Sequence, residues 1–284
     1  MQSMLKRFIF RAYCWYEDVF PMKTGKYRLA QLLHKLFGYA TFTVDGFKME
    51  LEPLAVLDKT LIKTGLHDEV VARCVRDAGE GTFLDIGANI GYFSLLAEHR
   101  GMHVIAFEPS PRELRRLYRN MALNNSGKIV VYPFGLSHKK EELPLRLGTD
   151  DNPGTNSVLE TEKSERSVTC LFAPLSFFVT PDALKDVRVC KIDVEGFEMS
   201  VLRGMEESMP SLKNAVFVVE IAPKYLAKNN TDPQDIYDFF ETHGYAPRIG
   251  LGASGRYDEV FDKASSDDCN WSPDLTRTAA EILA

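Results

Sequence analysis

From Thr82 onward the chain alternates short apolar runs with longer segments whose apolar residues recur at three and four, and this alternation constrains the fold more than any other feature. Runs apolar throughout are strands covered on both faces, and parallel strands need a crossover between them that a helix supplies. The pattern predicts strands at 82–86, 103–107, 128–132, 187–192 and 215–221. Helices are expected at 91–100, 111–123, 198–208 and 233–243. Residues 142–147 and 167–172 are expected to form an extra hairpin around a polar segment, and 245–249 and 257–261 to supply two last strands. The expected class is α/β, with helices on both faces of a mostly parallel sheet.

Residues 1–64 read as an extension of that domain, which takes in 65–284. In the extension Leu5, Phe8, Ile9, Ala12, Tyr16, Val19 and Phe20 share one helical face, and a second helix is expected over 27–37. Two alternating runs around Asp45-Gly46 predict a hairpin. The two helices can pack on the main domain or on a partner chain, including a second copy. Basic residues beside Phe8 and Trp15 leave weak membrane-surface contact through residues 5–20 as a further reading.

A net charge of −6 gives no overall attraction to phosphates, so nucleic acid is not the expected partner. Five scattered cysteines without finger or C-x-x-C spacing fit a reducing compartment, and no apolar run is long enough to span a bilayer. The expected location is cytoplasmic.

In Phe83-Leu84-Asp85-Ile86-Gly87-Ala88-Asn89-Ile90-Gly91-Tyr92 a buried strand ends in an acid and turns through glycine into a helix. A pyrophosphate-binding turn needs glycine at the positions held here by Gly87, Asn89 and Tyr92, and two of the three fail. A carboxylate beside a close-approach turn suits a cationic ligand better than a diphosphate. Glu108, about 20 residues beyond the turn and at the end of the next strand, is placed to accept hydrogen bonds from a ribose diol. Together these features point to S-adenosylmethionine, with Asp85 at its methionine end, Gly87, Asn89 and Gly91 in the turn, and Glu108 on the ribose.

The strand Val187-Arg188-Val189-Cys190-Lys191-Ile192 runs into Asp193-Val194-Glu195-Gly196. Lys191 and Asp193 are two apart and share a face, so an internal ion pair is expected. Asp193 and Glu195 are the candidate acceptor-binding and base residues, with Glu220 at the end of the next strand joining them. Three such acids could also hold Mg²⁺; without histidine at ligand spacing, no metal is expected.

Asp85 to Tyr92, Ala106-Phe107-Glu108-Pro109, Lys191 to Gly196 and Val201-Leu202-Arg203-Gly204 resemble the FkbM family of methyltransferases. The resemblance spans about residues 64–222. It implies a class I methyltransferase fold, Rossmann-like and seven-stranded, and methyl transfer from S-adenosylmethionine to a hydroxyl on a sugar, glycolipid or natural product. The expected partner is thus a small-molecule or glycan acceptor. Resemblance further places Glu69 near the amino-acid end of the cofactor; Asp193, where the fourth strand meets the cofactor crevice, is expected to contact the cofactor as well, and Gly135 to lie near the adenine. Asn156 and Ser157, in the polar segment before the fourth strand, are expected to meet the acceptor. Two other readings stand beside this one, a binding module that retains the pocket without catalysis and a nucleic-acid methyltransferase; Asp193-Val194-Glu195-Gly196-Phe197, lacking prolines to hold a flipped base, disfavours the latter.

Overall fold

The computed structural model describes residues 2–19, 25–148, 156, 158, 166–248 and 255–263. Helices α1 (Gln2–Val19) and α2 (Lys26–Phe37) lead into a hairpin of β1 (Ala40–Val44) and β2 (Phe47–Leu51). Asp45 and Gly46 both take positive φ, 46° and 93°, so the turn has the handedness that matches the twist of two paired strands. Helices α3 (Val56–Thr64) and α4 (Glu69–Asp77) follow.

The main domain then runs β3 (Thr82–Ile86), α5 (Tyr92–His99), β4 (His103–Phe107), α6 (Pro111–Asn124) and β5 (Ile129–Tyr132). A small sheet comes next, made of β6 (Gly135–Leu136), β7 (Glu141–Arg146) and β8 (Ser167–Ala173). Then come α7 (Pro181–Leu184), β9 (Val187–Ile192), α8 (Glu198–Met205), β10 (Val216–Ile221), α9 (Pro223–Leu226), α10 (Pro233–Thr242), β11 (Tyr245–Pro247) and β12 (Tyr257–Lys263).

Seven strands form one sheet in the order β11-β12-β10-β9-β3-β4-β5. The bonds from β5 through β10 are parallel, and β12 is antiparallel to both of its neighbours. This is the arrangement expected of a class I methyltransferase, including its one reversed strand. Because Tyr257 pairs with Ile221, β12 begins where the parallel strands end. That reversal brings Arg256 and Asp258 to the edge where ligands of such sheets bind.

Each central strand divides its residues between two cores. Phe83, Val189 and Val218 pack on one face, whereas Leu84, Ile86, Cys190, Ile192 and Phe217 pack on the other, which is why these strands read as unbroken apolar runs. The N-terminal elements belong to the first core: Phe10, Phe42, Leu61 and Val71 lie in one cluster with Phe83 and Leu117. Buried polar ties reinforce this join. The Arg116 guanidinium on α6 donates to Asp58 of α3 at 2.6 Å, and the Asn120 amide receives the Glu50 N–H at 2.8 Å while donating to the Ile90 carbonyl at 2.9 Å. The extension therefore packs on the main domain, against α6, which is itself tied to the glycine turn at Ile90.

Candidate active site

The turn after β3 is shaped by how closely two strand ends approach. A Cβ on Gly87 would lie 1.9 Å from the Asp193 carbonyl oxygen, and φ there is 83°, so only glycine fits. The Gly87 and Ala88 N–H groups both donate to the Phe107 carbonyl at 3.0 Å, which ties the turn to the end of β4. Asn89 adopts a left-handed φ of 52° and donates its N–H to Glu108 Oε2 at 2.8 Å, while Ser110 N–H donates to Glu108 Oε1 at 2.9 Å. Burial, with Glu113 nearby, pushes the Glu108 carboxyl up to about 8.

Lys191 joins the ends of β3 and β9. In register with Asp85, it places its ammonium 3.7 Å from that carboxylate and 3.3 Å from Asp193, and donates to the Gly87 carbonyl at 3.1 Å. Burial alone would lower the Lys191 pKa, but Asp193 and Asp85 outweigh it and hold the ammonium charged. Asp85 also accepts from Ser94 Oγ at 2.6 Å; burial still raises its pKa.

Beyond Asp193 the chain leaves the sheet in a tight turn. Glu195 has φ of 54° and Gly196 of 98°, and a Cβ on Gly196 would meet the Tyr225 backbone at 2.7 Å. The buried carboxylate of Glu198 holds the turn, accepting from Val194 N–H at 3.2 Å and Gly196 N–H at 3.0 Å. Asp193, Glu195 and Glu220 converge so that one oxygen from each lies within 4.8 Å of the others. The Arg256 guanidinium sits among them: 3.2 and 3.3 Å from the two Glu195 oxygens, 3.7 Å from Asp193, and paired with Glu220.

These neighbours separate the three acids electrostatically. Burial would raise Asp193, but Lys191, Arg256 and His67 outweigh it and keep its carboxyl below the usual range. Burial and the Asp193 charge push Glu195 up to about 7, and the same causes raise Glu220 further. Glu195 is thus poised to gain or lose a proton near neutrality.

Asn89, Glu108, Asp193, Glu195, Glu220 and Arg256 all face a single cavity of about 310 Å³. Glu108 and Asn89 form one bonded group in its lining, and Asp193, Glu195, Glu220 and Arg256 another. Phe107, Phe134, Leu136, Val158 and Phe172 supply apolar wall. A nucleoside with a cationic amino-acid tail matches this cavity: apolar walls for a base, a carboxyl for a diol, and acids for an ammonium and a sulfonium. Residues 85–247, more than half of the chain, match the model of the methyltransferase FkbM domain.

The chain belongs to the FkbM methyltransferase family. Membership implies use of S-adenosylmethionine. Among curated relatives, Methyltransferase 1 of Beauveria bassiana is 28% identical over 200 residues, covering 61% of this chain and 78% of that one. Hexuronic acid methyltransferase AglP of Haloferax volcanii is 27% identical over 221 residues, covering 77% and 83%. Among solved structures, M. jannaschii TYW2 in complex with AdoMet is 15% identical with a TM-score of 0.39, covering 80% of this chain and 87% of that one.

Of the site residues named from sequence, this FkbM-family structure brings Gly87, Asn89, Glu108, Gly135, Asn156, Asp193, Glu195 and Glu220 to the cavity wall. Asp85 does not line it; the carboxylate is fully buried behind the turn, where it partners Ser94 and Lys191. Gly91 stands back as well, against Leu117, where a Cβ would come within 2.2 Å. Glu69 points instead to Arg73 and Arg76, at 3.8 and 3.5 Å, and the preceding Asp68 lines the cavity. The physical reason is the cap: Asp68 accepts from the Val70 and Val71 N–H groups, and Glu69, one residue on, faces its own helix's arginines at i+4 and i+7. Asn156 accepts from Gly148 N–H and donates to Glu113, both at 2.8 Å. Ser157 lies outside the described residues.

Sequence reasoning missed Arg256, Asp258, Glu113 and Glu198. Glu198 carried a signal, an acid in the first turn of a helix that follows a glycine turn. Arg256 carried none, since its partners are far away in sequence.

Proposed function

We propose that this methyltransferase methylates a hydroxyl oxygen of a sugar-like polyol, with Glu195 as general base. The observation that carries the reading is the Glu195 carboxyl, pushed up to about 7 and facing the same cavity as the diol-binding candidate Glu108. S-adenosylmethionine supplies a methyl group already activated by its sulfonium. What remains for the chain is to align an acceptor oxygen and remove its proton.

The Glu195 Oε2 atom, accepting only one guanidinium hydrogen, keeps a lone pair for the acceptor O–H. Asp193, held ionised by Lys191 and Arg256, orients the same hydroxyl and favours a cationic group beside it. Glu108, held by the Asn89 and Ser110 N–H groups, suits a ribose, Gly135 an adenine edge, and Asp68 an ammonium. Asn156, fixed by Glu113 and Gly148, offers hydrogen bonds to an acceptor with several hydroxyls, which need partners once water is excluded. The relative named a hexuronic acid methyltransferase supports a sugar acceptor.

The test is incubation with methyl-labelled S-adenosylmethionine and a panel of sugars, glycolipids and polyketide alcohols. Label recovered on a hydroxyl oxygen is the expected result. Label on nitrogen or carbon, or cofactor binding with no transfer to any acceptor in the panel, would overturn it.

A further inference from the structure

The N-terminal helices pack their inner faces on the domain and turn apolar faces outward. On α1, Phe10, Tyr13 and Cys14 are buried, whereas Met4, Phe8, Trp15 and Val19, spaced by four and seven, are exposed on the opposite side. Phe8 is 72% exposed and Trp15 63%. On α2, Ala30 is buried, while Leu29, Leu32 and Leu36, spaced by three and four, face outward; Leu36 is 64% exposed. The helices lie antiparallel, since Lys6 donates to the Phe37 carbonyl at 2.7 Å and Tyr13 to the Lys26 carbonyl at 3.1 Å. Two adjoining helices thus each present an apolar stripe away from the core.

The charge around these stripes is one-sided. Residues 2–16 and 25–39 contain Lys6, Arg7, Arg11, Lys26, Arg28 and Lys35 and not one Asp or Glu, in a chain of net charge −6. The first acids after α1's basic stretch, Glu17 and Asp18, pair with Lys59 and Lys63 at 3.0 and 2.6 Å. We infer that α1 and α2 dock this enzyme on an anionic lipid surface, lying in the interface with Phe8, Trp15, Leu32 and Leu36 inserted and the exposed Arg11, Arg28 and Lys35 at the headgroups. A second copy fits poorly, because a self-interface would bring like charges together. No described helix is long and apolar enough to cross a membrane, so the contact is with one leaflet. Exposed apolar stripes flanked by cations and an aromatic ring at headgroup level have the chemistry of an interfacial helix pair. Such docking is independent of the acceptor and needs neither cofactor nor turnover.

The experiment is cosedimentation of the full chain with vesicles of phosphatidylcholine alone or mixed with phosphatidylserine. Binding is expected to the mixed vesicles, weakened by salt, with a blue shift of tryptophan emission that is lost in Trp15→Ser. The triple variant Arg11→Gln, Arg28→Gln, Lys35→Gln should lose about fivefold in partitioning per cation removed. Phe8→Ser with Leu36→Ser should weaken binding at any salt, and both positions are exposed enough for the fold to survive. Absence of binding to phosphatidylserine vesicles, or equal binding by parent and both variants, would overturn the inference. So would concentration-dependent self-association abolished by Phe8→Ser and Leu36→Ser without vesicle binding.

Discussion

Arg256 and Glu195 face each other through both ends of their forks, Nη1 to Oε2 at 3.3 Å and Nη2 to Oε1 at 3.2 Å. The guanidinium that binds Glu195 also lies against Asp193 and Glu220, and without it three buried or half-buried acids would face one another with Lys191 as the remaining described cation.

If Glu195 is the base, its ionised form is the active one. The value of kcat/KM should then rise with pH up to about 7 and level off above it. Removing the cation in Arg256→Gln disfavours the ionised carboxylate and should move this acid limb to higher pH. Glu195→Gln should lower turnover by about 10²–10⁴-fold with cofactor affinity retained. Initial-rate profiles of the three proteins, with calorimetry for the cofactor, check both outcomes; an unmoved limb in Arg256→Gln would remove the tuning role.

Lys191 is the only described cation within ion-pair distance of Asp85. Lys191→Met should therefore strand a fully buried carboxylate and cost about 3–5 kcal/mol of stability. Adding Asp85→Asn should recover part of that loss by removing the orphaned charge. Urea unfolding of the single and double variants at neutral pH gives the comparison.

Glu108 offers a pH-dependent stability test with a defined sign. Its carboxyl is raised from 4.5 to about 8, so between those values the folded state holds a proton that the unfolded chain has released. The stability linked to this group is present below about 4.5 and declines as pH rises towards 8. In Glu108→Gln that part of the decline should vanish, leaving the variant less sensitive than the parent over this window, while affinity for S-adenosylmethionine falls. Thermal melts at stepped pH and cofactor titrations read the two effects separately.

Chelation tests the acid triad directly. Since a guanidinium already lies among Asp193, Glu195 and Glu220, turnover is expected to be unchanged by EDTA. Loss on chelation with recovery on adding Mg²⁺ would assign the triad to a cation instead.

The central strands were legible because they are buried on both faces. Thr82–Ile86, His103–Phe107 and Val187–Ile192 begin and end in the structure where their apolar runs do. The two-residue strand β6 was not, being shorter than any period a pattern can show. The acids at strand ends were legible for a related reason: a charge that closes a buried run has few places to go except the crevice. Asp85 shows where that logic stops, because a strand-end acid can also turn inward when a lysine in register on the next strand receives it. The sequence reading anticipated the strand containing Tyr257 but not its partner or direction, and Arg256 derives its role from both.

The reversal of β12 also has a consequence for synthesis. Translation delivers Asp193, Glu195 and Glu220 before Arg256, so the nascent chain carries all three acids before the cation that compensates them exists. Folding of the domain as a unit must wait for that late arginine, or proceed with protons on the acids in its place.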